Sequence, residues 1–270
     1  MNTETPTNSP EIYSILSQTQ RLRVSDGEIK PVLDGCSNTS KLLVLIWSQL
    51  GDFDNLEYAW WLRREFEEIE ARGITIRAIG IGDRNSGIKF CEYTGFPQEW
   101  LFVDAKAEIH ELLRLYRGLS IQFPLLSSSQ KAWLNLILMC AGIRSPGTLK
   151  EVFRGYKGDK KAPQLIADEE VIKGTPIPAI KGSFFKAAGG KGFQRPFELA
   201  TLRLRNMTEV LSNWNIYVPD SSYLTQRGGT FLFDSQGQLI YEHRDRGILG
   251  FAENMSNPLS FLYKRTPQND

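Results

Sequence analysis

The stretch KLLVLIWSQLGDFDNLEYAWWLRREFEEIEARGITIRAIGI, residues 41–81, decides the fold. It opens on Lys41 to Trp47, a nearly continuous apolar run of strand length, the pattern of a strand covered on both faces. From Leu56 to Ala71 the period changes. Ala59, Leu62, Phe66 and Ile69 fall at i, i+3, i+7 and i+10, one face of a helix, and Gly73 stands just past its end as a cap. Ile74 to Ile81, ITIRAIGI, reads as a second core strand. Strand, helix and strand in this order predict a βαβ unit with parallel strands.

Outward from this unit the pattern continues and then breaks. On the N-terminal side, LRVSDGEIKPVL, residues 22–33, sets Asp26-Gly27 between two alternating runs and predicts a hairpin. On the C-terminal side a short helix is expected over Ser86 to Tyr93, a short strand over Trp100 to Val103 and a helix over Ala105 to Tyr116. The strand–helix alternation then stops. Residues 120–225 offer helices at Lys131 to Ala141, Thr148 to Tyr156 and Pro196 to Trp214, separated by segments rich in Gly, Pro and Lys. Strand signal returns at Gly229 to Phe233 and Gln238 to His243, which flank the turn residues 234–237, and a last helix is expected between Gly247 and Tyr263. A parallel pair first and a hairpin last is the order of an α/β thioredoxin-like fold, a mixed central sheet flanked by helices, here with a long, mainly helical and irregular insertion at 119–225. The expected boundaries are a flexible tail at 1–20, one domain over 21–264 and a flexible tail at 265–270. A flavodoxin-like doubly wound sheet would need more strand–helix alternation in the middle.

Composition narrows the function classes. The 270 residues are 41% hydrophobic, with 32 basic against 31 acidic side chains, so one large domain is expected and nothing concentrates the positive charge that nucleic acid requires. Three cysteines, Cys36, Cys91 and Cys140, are an odd number without a C-x-x-C pair, which speaks against a disulfide framework or a cysteine zinc site and for a reducing, cytoplasmic location. The first residues, MNTETPTNSPEIYSILSQ, lack the basic and apolar regions of a secretory signal. The most apolar window, Ala132 to Ile143, is shorter than the roughly 20 residues of a membrane span. It is expected as a buried helix, with Cys140 as core filling. No metal or cofactor is expected: His110 and His243 lack partners at ligand spacing, and Gly189 to Gly192 has neither a preceding strand nor a following Lys-Ser/Thr pair.

In a thioredoxin-like domain the reactive group sits where the first core strand turns into the first helix, because the helix dipole there lowers a thiol pKa. Here that turn is GDFDNLEYA, residues 51–59, and it contains no cysteine. The segment resembles the peroxiredoxin-like AhpC/TSA proteins, in particular the peroxiredoxin-like 2 branch, whose pattern at this position is G-C-P-x-C-R-E-L-A. The two align without a gap. Gly51, Glu57 and Ala59 are kept, and Asp52 and Asn55 fall at the two cysteine positions. Residues 89–118 and 228–245 resemble the family's later strand–helix segment and closing hairpin, while the long middle and residues 244–255 resemble a subgroup from oxygenic photosynthetic bacteria. The resemblance implies an antioxidant thiol peroxidase, in which a thiolate attacks the O–O bond and a cation stabilises the leaving oxygen. Arg227, before Gly228-Gly229-Thr230-Phe231, is similar to the family's arginine, offset by one residue.

The departure at the turn changes what is implied. A carboxylate and an amide cannot run a thiol cycle, so Gly51, Asp52, Asp54 and Asn55 read as a degenerate active-site loop whose Asp and Asn side chains suit helix capping. The resulting expectation is a non-catalytic protein that binds a protein partner in a redox or photosynthetic context. The alternative is a thiol oxidoreductase working through Cys91, near Lys89, with Arg227 as electrostatic helper; Cys36 is a weaker candidate. Aromatic content adds a clue, since Trp60-Trp61, Trp133 and Phe184-Phe185 supply more large apolar surface than one sheet face requires. Trp60 and Trp61 project about 100° apart on a helix. Either the insertion packs over that helix, or Trp60, Trp61, Phe184 and Phe185 form a partner-binding patch. A homo-oligomer is compatible with the sequence.

Overall fold

The computed structural model describes residues 9–36, 40–174 and 177–263. Helix α1 (Ser9–Gln18) leads into a hairpin of β1 (Gln20–Arg23) and β2 (Ile29–Pro31), whose turn holds Gly27 at φ 74°, a conformation that glycine adopts without strain. The central unit follows as β3 (Lys41–Gln49), α2 (Phe53–Ala71) and β4 (Ile74–Ile81), and its strands pair in parallel. Helix α3 (Arg84–Thr94), β5 (Leu101–Val103) and the short α4 (Glu108–Leu112) complete the first half. The insertion contains α5 (Ser128–Cys140), α6 (Thr148–Lys157), β6 (Val171–Gly174), β7 (Ile177–Lys181), the single turn α7 (Lys186–Gly189), α8 (Glu198–Ser212) and α9 (Trp214–Tyr217). Strands β8 (Gly229–Phe233) and β9 (Leu239–Arg244) return to the main sheet.

That sheet has seven strands in the order β2-β1-β5-β4-β3-β8-β9. The pairs β3–β4 and β4–β5 are parallel, whereas β3–β8, β8–β9 and β1–β5 are antiparallel, so the sheet is mixed, as a thioredoxin-like fold requires. Strand β3 is covered on both faces because alternate side chains point to opposite sides. Leu43, Leu45 and Trp47 join the core under α2 and α3, while Leu42, Val44 and Ile46 join the one that holds Ile109 of α4.

Several expectations are corrected. The N-terminal tail ends sooner than residue 20, since Ile12 and Leu16, one turn apart on α1, are fully buried in the second core; residues 1–8 and 265–270 lie outside the described residues. The helix expected over 105–116 shrinks to α4, bounded by Ala107 and Arg114 at φ 53° and 54°. No α-helix forms between Gly247 and Tyr263 among the described residues. Leu249 at φ 57° breaks the segment, and only a 3-10 turn over Ser260–Tyr263 follows. Helix α5 is not buried. Asn135 and Met139 face inward, whereas Ile137 is 57% exposed and Cys140 is exposed, because α5 lies in an outer layer that the insertion adds. Among the described residues no helix is long and apolar enough to cross a membrane.

The insertion closes on itself. Arg227 N donates to Tyr116 O at 2.8 Å, Gln226 Nε2 to Tyr116 O at 3.1 Å, and Thr225 Oγ1 to Arg117 O at 3.0 Å, so the chain leaving the insertion lies against the chain entering it. Its helices then cover α2. Glu57, fully buried on α2, pairs with Arg203 of α8 at 2.7 Å, and Arg64 Nη2 donates to Gln164 O at 3.3 Å.

Candidate functional site

The turn between β3 and α2 brings Asp52, Asp54, Asn55 and Arg227 together. Asp52 is the N-cap of α2: its Oδ1 accepts from Asp54 N at 3.1 Å, which satisfies one of the helix's free N–H groups. Its Oδ2 accepts from Ser48 Oγ at 2.9 Å and from Arg227 Nη2 in a close ion pair. Asn55 is buried, and its Nδ2 donates to Ser48 Oγ at 3.1 Å and Gln49 O at 2.8 Å, which stitches the helix start back onto the strand end. Gly51 admits no side chain, because a Cβ would come within 2.9 Å of Val218.

Arg227 enters from the loop before β8 and is almost fully buried. Burial opposes its charge, but Asp52, Asp54 and Asp245 outweigh that and raise its pKa. Asp54 lies 3.5 Å from Arg227 Nη1, and its Oδ2 accepts from Leu249 N at 2.7 Å. Burial, with Asp52 beside it, pushes its carboxyl well above the ordinary range. Asp245 is also buried, and burial raises it to about 7. The guanidinium thus contacts two carboxyl groups, Asp52 in the close pair and Asp54 at 3.5 Å, and interacts with Asp245 from farther away; burial favours the protonated forms of Asp54 and Asp245. Sequence reasoning did not single out Asp245. It lies in the charged segment EHRDR, 242–246, which reads as a solvated hairpin end.

Of the three cysteines only Cys140 borders this network. Cys91 is buried in α3 and its thiol is pushed up to about 12, chiefly by burial, while the side chain of Arg227 is engaged at the turn by Asp52, Asp54, Leu224 and Thr225. Cys36 is half-buried and raised, again chiefly by burial. Cys140, expected in the core, instead borders a cleft in front of Asp52 and Phe53; its thiol is raised to about 11, first by the apolar walls and then by Asp52 and Asp54. His110 is buried, makes a 3.0 Å hydrogen bond to Trp47 O and is lowered to about 4 by burial, so it stays neutral. No group of three His, Cys, Asp or Glu able to hold a metal occurs among the described residues.

Of the four aromatics considered for a partner surface, three are not available to one. Trp60 and Trp61 are buried under the insertion with rings 5.5 Å apart at 84°, and Phe185 is buried as well. Phe184 alone is exposed. The apolar residues that do reach the surface were missed, because a sequence period tells which residues share a helix face but not which face turns inward. On α6, Thr148, Glu151 and Gly155 are buried, while Leu149, Phe153 and Tyr156 are 49%, 58% and 53% exposed.

Two cavities meet at the turn. One, of about 230 Å³, is bounded by Gln49, Asp52, Trp133, Leu136, Trp214 and Val218; its neighbour, of about 240 Å³, shares Phe53, Cys140, Met207 and Ile248 with it. A larger one, about 690 Å³, lies between the start of α6 and the chain after β9, and Asp52 and Asn55 take no part in it.

No curated protein matches this chain. The family model described as AhpC/TSA antioxidant enzyme matches residues 61–247, a span that includes Arg227, Asp245 and the whole insertion but begins downstream of the Asp52 turn. With most of its length matched and the sheet of the fold in place, the chain belongs to the AhpC/TSA antioxidant enzyme family.

Proposed function

We propose that this chain is a non-catalytic member of its family, a thioredoxin-fold protein that binds a protein partner in a redox setting. The observation that carries the reading is the pairing of Arg227 with Asp52. A cation that stabilises the leaving oxygen of a peroxide must be open to it, and here a carboxylate already holds it, at the position where the resemblance expects a thiolate. The alternative through Cys91 has less support, since a thiol raised to about 12 supplies little thiolate at neutral pH.

The partner surface we assign is the outer face of α6. A helix that buries Thr148, Glu151 and Gly155 while presenting Leu149, Phe153 and Tyr156 at i, i+4 and i+7 has its amphipathicity turned outward. Phe197, also exposed, extends this face, with its ring 6.3 Å from that of Tyr156. Exposed aromatics of this kind anchor protein interfaces. The resemblance of residues 244–255 and the middle segment to proteins of oxygenic photosynthetic bacteria supports a cytoplasmic, photosynthetic or stress-response setting.

Peroxide consumption with a thiol reductant tests the first half. The wild type is expected to show no turnover, and turnover that disappears in Cys91→Ser or Cys140→Ser would sink the non-catalytic reading. For the second half, a partner retained from native extract is expected to be lost from Phe153→Glu; equal retention by that variant would remove α6 from the interface.

A further inference from the structure

The two cavities at the turn belong to one apolar trough along α8, and what borders it narrows the kind of partner that the α6 face receives. Leu199, Leu202, Asn206 and Val210 turn α8 inward, so the stripe of Ala200, Leu204, Met207 and Leu211, at i, i+4, i+7 and i+11, looks the other way. Leu204 and Leu211 are 43% and 51% exposed. The stripe borders both cavities: Ala200, Leu204 and Met207 line the one that reaches Tyr156 of α6, and Met207 and Leu211 line the one that reaches Ile137 of α5. From end to end it covers about three turns of helix, or about 16 Å. Only Asp52 and Arg203 are charged among the residues around the two cavities, and each is already paired, with Arg227 and Glu57.

The charge outside the trough has one sign. Residues 119–225 hold 14 basic against 8 acidic side chains, whereas the rest of the chain holds 18 against 23. No carboxylate of α5, α6 or α8 is exposed: Glu151 and Glu198 are buried and paired with Arg154 and Arg195, and Glu209 is held by Lys89 at 3.3 Å. The exposed charges on these helices and between α5 and α6 are Arg144, Lys150 and Lys157, and none of them is in an ion pair among the described residues. Lys157 adjoins the apolar face of α6, with its Nζ 6.0 Å from the centre of the Phe153 ring.

We infer that the trough receives an acidic amphipathic helix of the partner protein, which seats apolar side chains at i, i+4 and i+7 in the two cavities and sets carboxylates toward Lys150 and Lys157. The inference rests on α6 as a partner surface and names what that partner presents to it. A second copy of this chain suits the trough poorly, because a symmetric contact would bring the same basic rim against itself. An anionic membrane suits it poorly as well, since the stripe on α8 is recessed between cavities, whereas a membrane-surface helix must project its apolar face.

Anisotropy titration of the full chain with two labelled peptides of about 18 residues tests the assignment. Both carry leucines at helical spacing, one with glutamate and the other with lysine at the remaining positions. The acidic peptide is expected to bind about ten-fold more tightly than the lysine peptide at low salt, a ratio that shrinks as salt is added. Leu204→Glu, at an exposed position, should weaken the acidic peptide about ten-fold. Lys150→Glu combined with Lys157→Glu should reverse the preference between the peptides. In the wild type, alkylation of Cys140, which borders both cavities, should slow at least about five-fold with the acidic peptide bound, and this readout stands even if a variant fails to fold. Equal affinity of the two peptides, no loss in Leu204→Glu, alkylation of Cys140 indifferent to the acidic peptide, or no binding of that peptide would each overturn the inference. A native partner still lost from Phe153→Glu would in that case keep α6 as a partner surface. Self-association abolished by Leu204→Glu would give the trough to a second copy, and binding to phosphatidylserine vesicles abolished by it would give the trough to a membrane; either result also overturns the inference.

Discussion

A carboxylate at position 52 fills three roles at once, capping α2 through Asp54 N, accepting from Ser48 Oγ and pairing with Arg227. The cap alone is worth about 1 kcal/mol, whereas losing one partner of a buried pair costs about 3–5 kcal/mol because the other charge is left without compensation. Arg227→Met should therefore be the most destabilising substitution at the turn, by about 3–5 kcal/mol, since it strands Asp52. Asp52→Ala should cost less, about 2 kcal/mol, because Asp54 lies 3.5 Å from the same guanidinium and can take over the pairing by losing its proton. In the double variant the Arg227 loss is partly relieved, so urea unfolding should give a sum of single effects at least about 1 kcal/mol larger than the double effect. Strict additivity would mean that the pair does not act as a unit.

At the scale of elements, the strands that were legible are those whose environment is uniform. Leu42 to Trp47 is apolar throughout because both faces of its strand are covered, and any covering would give the same pattern. That Asp52, Asp54 or Asn55 would cap α2 was legible for a similar reason, since capping is a local hydrogen bond, and the structure gives the role to Asp52. What the sequence hides is set by packing at a distance. The outward face of α6, the exposure of Cys140 and the burial of Trp60 and Trp61 all depend on where the insertion lies over α2. The two-stranded β6–β7 piece falls in VIKGTPIPAIK, 171–181, whose Gly and prolines read as loop. The position of the insertion rests on its clasped root, where Gly118 stands at φ 79° and a Cβ would lie 2.1 Å from the carbonyl oxygen of Thr225. Gly118→Ala meets backbone rather than a yielding side chain, and the positive φ adds strain. The expected outcome is a loss of at least about 2 kcal/mol in urea unfolding, with faster proteolysis inside 119–225. A wild-type midpoint would show that the root is not a fixed point of the fold.

At the scale of the whole molecule, the buried carboxyl groups around Arg227 make stability depend on pH in a defined direction. Arg227 is compensated by Asp52, and Asp245, buried near the same guanidinium with His243 3.5 Å from its Oδ1, is raised to about 7. His243 is itself lowered by burial and so offers no counter-charge at neutral pH. In the unfolded chain an aspartate titrates near 3.9. Between that value and about 7 the unfolded chain has released a proton that the folded protein still holds, so stability falls as pH rises through this window. Below it both states are protonated; above it both are ionised and the full penalty remains. Asp245→Asn removes the titration while keeping a neutral group of the same shape. Its thermal midpoint should lie close to the wild type's near pH 4 and rise above it by several degrees by pH 8, a difference of order a few kcal/mol. Asp54, raised by burial and by Asp52, adds to the same decline in both proteins; the smaller part of its rise that Asp245 causes is lost in Asp245→Asn, which widens the gap in the same direction. A gap that is constant from pH 4 to 8, or one that closes toward alkaline pH, would mean that Asp245 is ionised in the folded protein and that Arg227 shares its charge with two carboxylates.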